Sequence, residues 1–517
     1  MSKRDIRSGA LALALVTLCP LLAAASSSAP PASGSVLLTT PQGQLRGSGA
    51  AGVQAFRGIP YAAAPVGPLR WAPPQPARAW REVRDAEAFG PHCPQSPGPG
   101  HFATASQTED CLFLNVFKPA KAHKGARLPV MVWIPGGGLH SGESDDYDGA
   151  GLARAGKVIV VTINYRLGVL GFFAGATTPG SANFGLLDQQ QALRWVRSNI
   201  MAFGGDPANV TLFGESAGAD SVLAQMLSPP AAGLFQRAIV ESSAYFSKTT
   251  PLADARARAQ QFTIAAGCAG DDSLNCLRAL PVDKILVLQT KYLSPLIIDG
   301  VTVPEPFWAA FQTGRFHHVD LLIGTNLEEY RFYEGLGRLA GPNNSALTAV
   351  VTGLQQTYPD LRARLRQGYG DAGADTAAMT DAIFTCPTAR IDNWASAYGR
   401  VYAYQFVDTD APAYEGVADY RLGASHTSEL QYVFPGFRGA GGQAAPLTGP
   451  QERLSAAMIG AWTAFARTGH PTDPDSAGDW PAFRQADPVV EQLAPAGLRP
   501  SRSVYGDHHC QVWEPAG

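Results

Sequence analysis

The chain has 517 residues, 45% hydrophobic and 16% charged, a composition that excludes an intrinsically disordered chain and suits a large globular protein. Its 40 basic and 43 acidic side chains leave a formal charge of −3 with no basic stripe, which argues against nucleic acid as a partner. A chain this long buries enough core to fold without a metal or disulfide staple.

In chain order, the first element is a secretory-type leader. Lys3, Arg4 and Arg7 precede an apolar stretch from Ala10 to Ala25, and Ala23, Ala24 and Ala25 supply small residues for cleavage before Ser26. The apolar run is short for a membrane span, and Leu18 is too bulky for a lipoprotein site at Cys19. Residues 1–25 are therefore expected to be a signal peptide, 26–34 a Ser/Ala/Pro linker, and 35–517 one domain, secreted or periplasmic, without stable membrane association. Cysteine usage agrees with export. Beyond the leader lie Cys93, Cys111, Cys268, Cys276, Cys386 and Cys510. Sequence alone does not choose among their pairings; loop closure makes Cys93–Cys111 and Cys268–Cys276 the local candidates, leaving Cys386 and Cys510. No CxxC pair or Cys/His metal spacing is present.

The segments 128–134 and 158–165 are near-continuous apolar runs, as expected of strands buried on both faces. Leu187, Ala192, Leu193, Val196 and Ile200 give 186–200 a helical spacing. Strands are also expected at 209–214, 238–242 and 319–326, with a helix from about Ala217. This alternation predicts an α/β fold, a mostly parallel sheet flanked by helices, with sites at the carboxyl ends of its strands. The stretch 341–425 has helical patterning and few strand signals, and is expected to form a cap or cleft wall.

The strongest chemical signal is Gly214-Glu215-Ser216-Ala217-Gly218, a G-x-S-x-G set between a buried strand and a helix. Such a turn pushes the serine hydroxyl clear of the sheet and points helix amides at an adjacent oxyanion. A serine hydroxyl is a poor nucleophile until a base takes its proton. Glu328 and Glu329, just past the strand 319–326, are candidate acids. His426, His470, His508 and His509 are the histidines beyond them, and the small residues before His426 suit a loop over a site. Consecutive glycines in 135–138 free backbone amides to donate, so Gly137, Gly138 and Ala217 are the expected oxyanion donors. A phosphate loop would instead end in Lys-Ser or Lys-Thr, and Leu139-His140 does not.

The motifs 56–76, 109–117, 163–173, 184–219 and 297–304 resemble the type-B carboxylesterase family of α/β-hydrolases over nearly the whole mature chain. The resemblance implies an α/β-hydrolase fold and hydrolysis of small carboxylic esters without a cofactor. It selects Glu329 and His426 to complete a triad with Ser216, supports the three disulfides, Cys386–Cys510 included, and places Glu215 and Ser242 behind the triad in supporting roles. Three positions depart from the pattern. Pro135 precedes the glycines where His or Tyr is frequent, Tyr330 follows Glu329 where Gly is usual, and no Trp lies between Cys93 and Cys111. The last argues against a cholinesterase, which holds its cation on such a ring. The rival expectations are an interfacial lipase, a non-catalytic binding module, and a metal site built on His426 and Glu429. The oligomeric state is left open by the sequence.

Overall fold

The computed structural model describes residues 34–514, apart from 98–103, 176–181, 244–248, 341–353, 356–357, 370–375, 414–418, 438–444 and 473–478. The expected signal peptide and most of the linker thus lie outside the described residues, and Gly34 opens the first strand rather than closing the linker. The chain from Ser33 onward forms one compact unit.

The strands are β1 (Gly34–Thr40), β2 (Gly43–Ala50), β3 (Val53–Pro60), β4 (Arg84–Asp85), β5 (Phe113–Pro119), β6 (Leu128–Ile134) and β7 (Ile159–Ile163). They continue with β8 (Gly205–Glu215), β9 (Arg237–Glu241), β10 (Thr250–Pro251), β11 (Ile297–Ile298), β12 (Asp320–Asn326), β13 (Val401–Phe406), β14 (Val490–Ala494) and β15 (Gly497–Ser501). Thirteen of them make one sheet in the order β1-β2-β3-β5-β7-β6-β8-β9-β12-β13-β14-β15, with β4 beside β2. The run from β7 through β14 is parallel throughout. Antiparallel strands flank it on both sides.

Alternation along the strands feeds two cores. Val130, Val132 and Ile134 of β6 face one cluster, shared with Leu186, Leu193 and Val196 of the helix Phe184–Asn199 and Val222 and Leu223 of the helix Ala217–Leu227. Met131 and Trp133 face the other, shared with Leu454, Met458, Trp462 and Phe465 of the helix Gly449–Thr468. Both faces being covered is why these strands read as unbroken apolar runs. Each fully buried side chain of this kind stabilises the fold by about 1.5–3 kcal/mol.

Two ion pairs lock the motif segments together: Arg70 Nε donates to Glu109 at 2.7 Å, and Arg166 Nη2 to Asp188 at 2.7 Å. The three disulfides form as expected, with Cα–Cα distances of 4.9 Å (Cys93–Cys111), 5.5 Å (Cys268–Cys276) and 5.1 Å (Cys386–Cys510).

The stretch 341–425 corrects one expectation. It contributes wall helices at Leu361–Tyr369 and Cys386–Ala395, but it also holds β13, buried along its whole length within the parallel run. The sequence VYAYQF is short and carries tyrosines and a glutamine, whose polar atoms hide a buried strand. Gln405, for example, is satisfied only by distant partners, His508 and Gln492.

Candidate active site

Four neighbouring strands deliver the site from their carboxyl ends. β6 runs into the glycine loop, β8 into Ser216, β9 into Ser242, and β12 into the turn carrying Glu329. This is where parallel sheets place ligands. β13 then carries the chain back toward the loop that holds His426.

Ser216 has φ +56° and ψ −125°, in a region that L-residues rarely adopt. Such a conformation costs on the order of 1–3 kcal/mol and must be over-determined by its surroundings. Its amide donates to the Glu241 carbonyl at 2.9 Å, and its carbonyl accepts from the Asp220 amide at 2.9 Å. The flanking glycines allow the turn because the backbones nearly touch. A Cβ on Gly218 would lie 2.0 Å from the Ile134 oxygen, and one on Gly214 would lie 2.7 Å from the Gly218 carbonyl carbon.

The Ser216 hydroxyl lies 2.8 Å from His426 Nε2, and His426 Nδ1 lies 2.7 Å from a Glu329 carboxylate oxygen. All three residues are buried. The second Glu329 oxygen accepts from the Asn326 amide at 2.7 Å, and the His426 amide donates to the Glu329 carbonyl at 3.1 Å. Glu328 points elsewhere. It accepts from the Ala424 amide at 3.1 Å and faces Arg331 with its side chain 30% exposed. Tyr330 leaves this geometry intact, its amide tied to Thr380 Oγ1 at 3.0 Å. The other candidate histidines are occupied away from the serine: His470 packs on Tyr402, His508 pairs with Asp381, and His509 packs on Tyr369. Both His426 nitrogens are taken, so the pattern of His426 and Glu429 is not that of a metal site.

The glycine loop lies against Ser216, since a Cβ on Gly136 would sit 3.2 Å from Ser216 Cβ. The Gly137 carbonyl accepts from the His140 amide (3.2 Å), the Ser141 amide (3.0 Å) and Ser141 Oγ (2.8 Å), so the loop is closed on itself. Gly137 and Gly138 have positive φ, and among the described residues no backbone carbonyl takes the amides of Gly137, Gly138 or Ala217. Pro135 does not loosen the loop. Its carbonyl accepts from the Tyr165 hydroxyl at 2.9 Å, and Gln95 clamps Gly142 from the other end, accepting from its amide at 2.7 Å.

Around Ser216, His426 and Glu329 is a group of buried acids. Glu215 Oε1 lies 3.2 Å from His426 Nε2. Burial, then the neighbouring Glu429, Glu329, Glu241 and Asp220, hold the Glu215 carboxyl well above the usual carboxylate range. Burial likewise pushes Glu241 up to about 8, against the opposing hydrogen bond from Trp462 Nε1 at 3.0 Å. Glu429 is pushed up to about 8 by burial and then by Glu329 and Glu241, and it accepts from Asn326 Nδ2. Ser242 is fully buried at φ +55°, its amide bonded to the Gly324 carbonyl at 2.9 Å and its hydroxyl without a protein partner.

Comparison with known proteins identifies the scaffold. The Carboxylesterase family matches residues 34–513. The chain belongs to this family. It is 35% identical to the "Cocaine esterase" of Homo sapiens, over 94% of this chain and 92% of that protein. It is 36% identical to the "Para-nitrobenzyl esterase" of Bacillus subtilis, over 87% of this chain and 93% of that one. Among solved structures, a thermophilic pNB esterase superposes with a TM-score of 0.79 at 32% identity, covering 92% of this chain and 99% of its own. This carboxylesterase has the α/β-hydrolase fold, and its reaction is carboxylic ester hydrolysis.

Several residues at the site were not legible in sequence. Phe332, Tyr333 and Phe384 surround the His426 ring at centroid distances of 5.7, 5.4 and 5.1 Å. Asn326 orients Glu329, while Gln95 and Tyr165 hold the glycine loop. The aromatic pair after Glu329 was a usable signal for the first two. Nothing local marks Gln95.

Proposed function

We propose that this carboxylesterase hydrolyses small esters through an acyl-enzyme on Ser216. The hydroxyl attacks the ester carbonyl as its proton passes to His426 Nε2, while Glu329 holds the opposite N–H and offsets the charge that develops on the imidazole. The carbonyl oxygen gains negative charge and is met by the amides of Gly137, Gly138 and Ala217, each worth roughly 3 kcal/mol of barrier. Collapse breaks the ester C–O bond, and His426 gives its proton to the departing alcohol. Water then attacks the acyl carbonyl, its proton going to the same nitrogen. The acid leaves, and the proton returns to Ser216 Oγ. Glu215 lies beside Nε2 with its carboxyl shifted toward the protonated form by burial, and Glu215 and Ser242 support the triad without taking part in the chemistry.

The observation that carries this reading is the unbroken chain from Ser216 Oγ through His426 to Glu329. We further propose that residues 1–25 direct export and that the mature chain acts outside the cytoplasm, a reading supported by three disulfides joining six cysteines. Ser216→Ala should abolish turnover of p-nitrophenyl butyrate while leaving the far-UV spectrum and Tm of the folded protein intact. Residual turnover near the wild-type rate would refute the assignment.

A further inference from the structure

Beside the glycine loop is a cavity of about 230 Å³, lined by Gly138, Leu139, His140, Gly168, Phe172, Leu293, Ser294 and Pro295. It is smaller than the sites that take drug-sized ligands and would hold roughly seven waters. Its position relative to the triad decides which part of an ester it receives. The leaving oxygen must face His426 Nε2, and the side of the site around that ring is filled by Phe332, Tyr333 and Phe384. None of the residues lining the cavity comes from that side. Gly138, proposed above as an oxyanion donor, lines the cavity, which suits it to the chain that leaves the carbonyl carbon away from His426.

Two of its walls are polar, and neither is charged. Ser294 is buried, and its hydroxyl has no hydrogen-bond partner. A buried unpartnered hydroxyl is unfavourable unless something fills the place opposite it. His140 keeps an exposed surface while the residues beside it are buried, and it lines this cavity. Desolvation by the protein packed around the ring lowers its pKa and so favours the neutral form, which donates from one nitrogen and accepts at the other.

The wall that bears Ser294 is rigid. Thr250 Oγ1 donates to the Pro295 carbonyl at 2.7 Å, the Thr250 amide to the Leu296 carbonyl at 3.0 Å, and the Ile297 amide to Asn183 Oδ1 at 2.9 Å. Another lining residue, Gly168, is joined to the glycine loop by its amide, which donates to the Leu139 carbonyl at 2.7 Å. The backbone that carries both polar groups is therefore tied down before a substrate arrives, which limits what binding must order.

Resting on the acyl-enzyme reading above, we propose that this cavity is selective for short acyl chains carrying an uncharged hydrogen-bonding oxygen, a hydroxyl or a carbonyl, that Ser294 and His140 engage. An ionised acyl group finds no cation among the lining residues, and a plain alkyl chain leaves both polar groups unpaired. A site built to bond such an oxygen discriminates against the analogue lacking it.

The test compares kcat/KM for the p-nitrophenyl esters of 3-hydroxybutyrate, butyrate and hemisuccinate, corrected for spontaneous hydrolysis. The wild type should favour 3-hydroxybutyrate over butyrate by about ten-fold and use hemisuccinate least. That ratio should fall toward one in both Ser294→Ala and His140→Phe. Because the ratio is internal to each preparation, loss of folded protein cancels. A wild-type ratio at or below one, a ratio unchanged in both variants, or a preference for hemisuccinate would overturn the proposal while leaving the esterase reading standing. Failure of the wild type to turn over any of the three esters would count against that reading itself.

Discussion

Ser216 and the glycine loop stand on β8 and β6, adjacent parallel strands whose continuing backbones almost collide. Glu329 and His426 stand on turns 97 residues apart in the chain, and they meet through side-chain hydrogen bonds. The nucleophile half is placed by steric exclusion: Gly214, Gly136 and Gly218 are where no Cβ fits, and the strained Ser216 follows from that. The base half is placed by polar bonds in a low-dielectric interior, with Asn326 reaching Glu329, Glu429 and the Ser425 carbonyl at once. Filling the space at the glycines of the first half should appear as lost folding, and damage to the second half as lost chemistry.

The largest effect that divides the halves is expected on the base side. Glu329→Gln should lower kcat by about 10⁴-fold, because the imidazole loses both its oriented N–H acceptor and the charge that offsets its cation. Steady-state kinetics with an unchanged Tm would mark it as a chemical loss, whereas a large fall in Tm would place Glu329 among the structural residues. On the nucleophile side, Gly218→Ala drives a methyl against the Ile134 carbonyl. It should destabilise by at least about 4 kcal/mol, read as loss of soluble protein or a collapse in the denaturation midpoint. Normal stability in that variant would mean the turn yields more easily than its contacts imply.

A smaller effect should come from the buried acids of the base half. Glu241 and Glu429, each pushed up to about 8 in the folded chain, titrate near 4.3 when unfolded. The folded state therefore holds protons that the unfolded state releases. Their contribution to stability is complete below about pH 4, declines as pH rises, and is gone above about pH 8. Tm should fall by roughly 2–5 °C between pH 6 and pH 9, and Glu429→Gln should flatten that slope; a Tm that rises over this window would contradict the assignment. The smallest effect is expected from Glu328→Gln, whose carboxylate faces Arg331 and the Ala424 amide. Its kcat should stay within about threefold of wild type, and a loss comparable to that of Glu329→Gln would mean the two neighbours had been assigned the wrong way round.

The same division explains what could be read in the sequence. Steric exclusion leaves local marks. Gly214-Glu215-Ser216-Ala217-Gly218 and the run of glycines after Pro135 announce close backbone approach, and strands covered on both faces announce themselves as apolar runs. Side-chain placement leaves few such marks. Which of four histidines reaches Ser216 depends on β13, a strand hidden by its tyrosines and Gln405, and on Phe384, which arrives from a wall helix region to pack on the ring. Family resemblance chose His426 and Glu329 where spacing alone kept the alternatives open. Even resemblance gave no account of Gln95, which clamps the glycine loop from within the Cys93–Cys111 segment, or of the unpartnered Ser294 hydroxyl.

The most direct test of the central claim is covalent labelling by a fluorophosphonate probe, followed by mass spectrometry of the peptides. Activation of Ser216 by His426 predicts one adduct per chain, on Ser216, with the labelling rate reduced by at least about 10³-fold in His426→Ala. An adduct on a different serine, or equally fast labelling without His426, would contradict it.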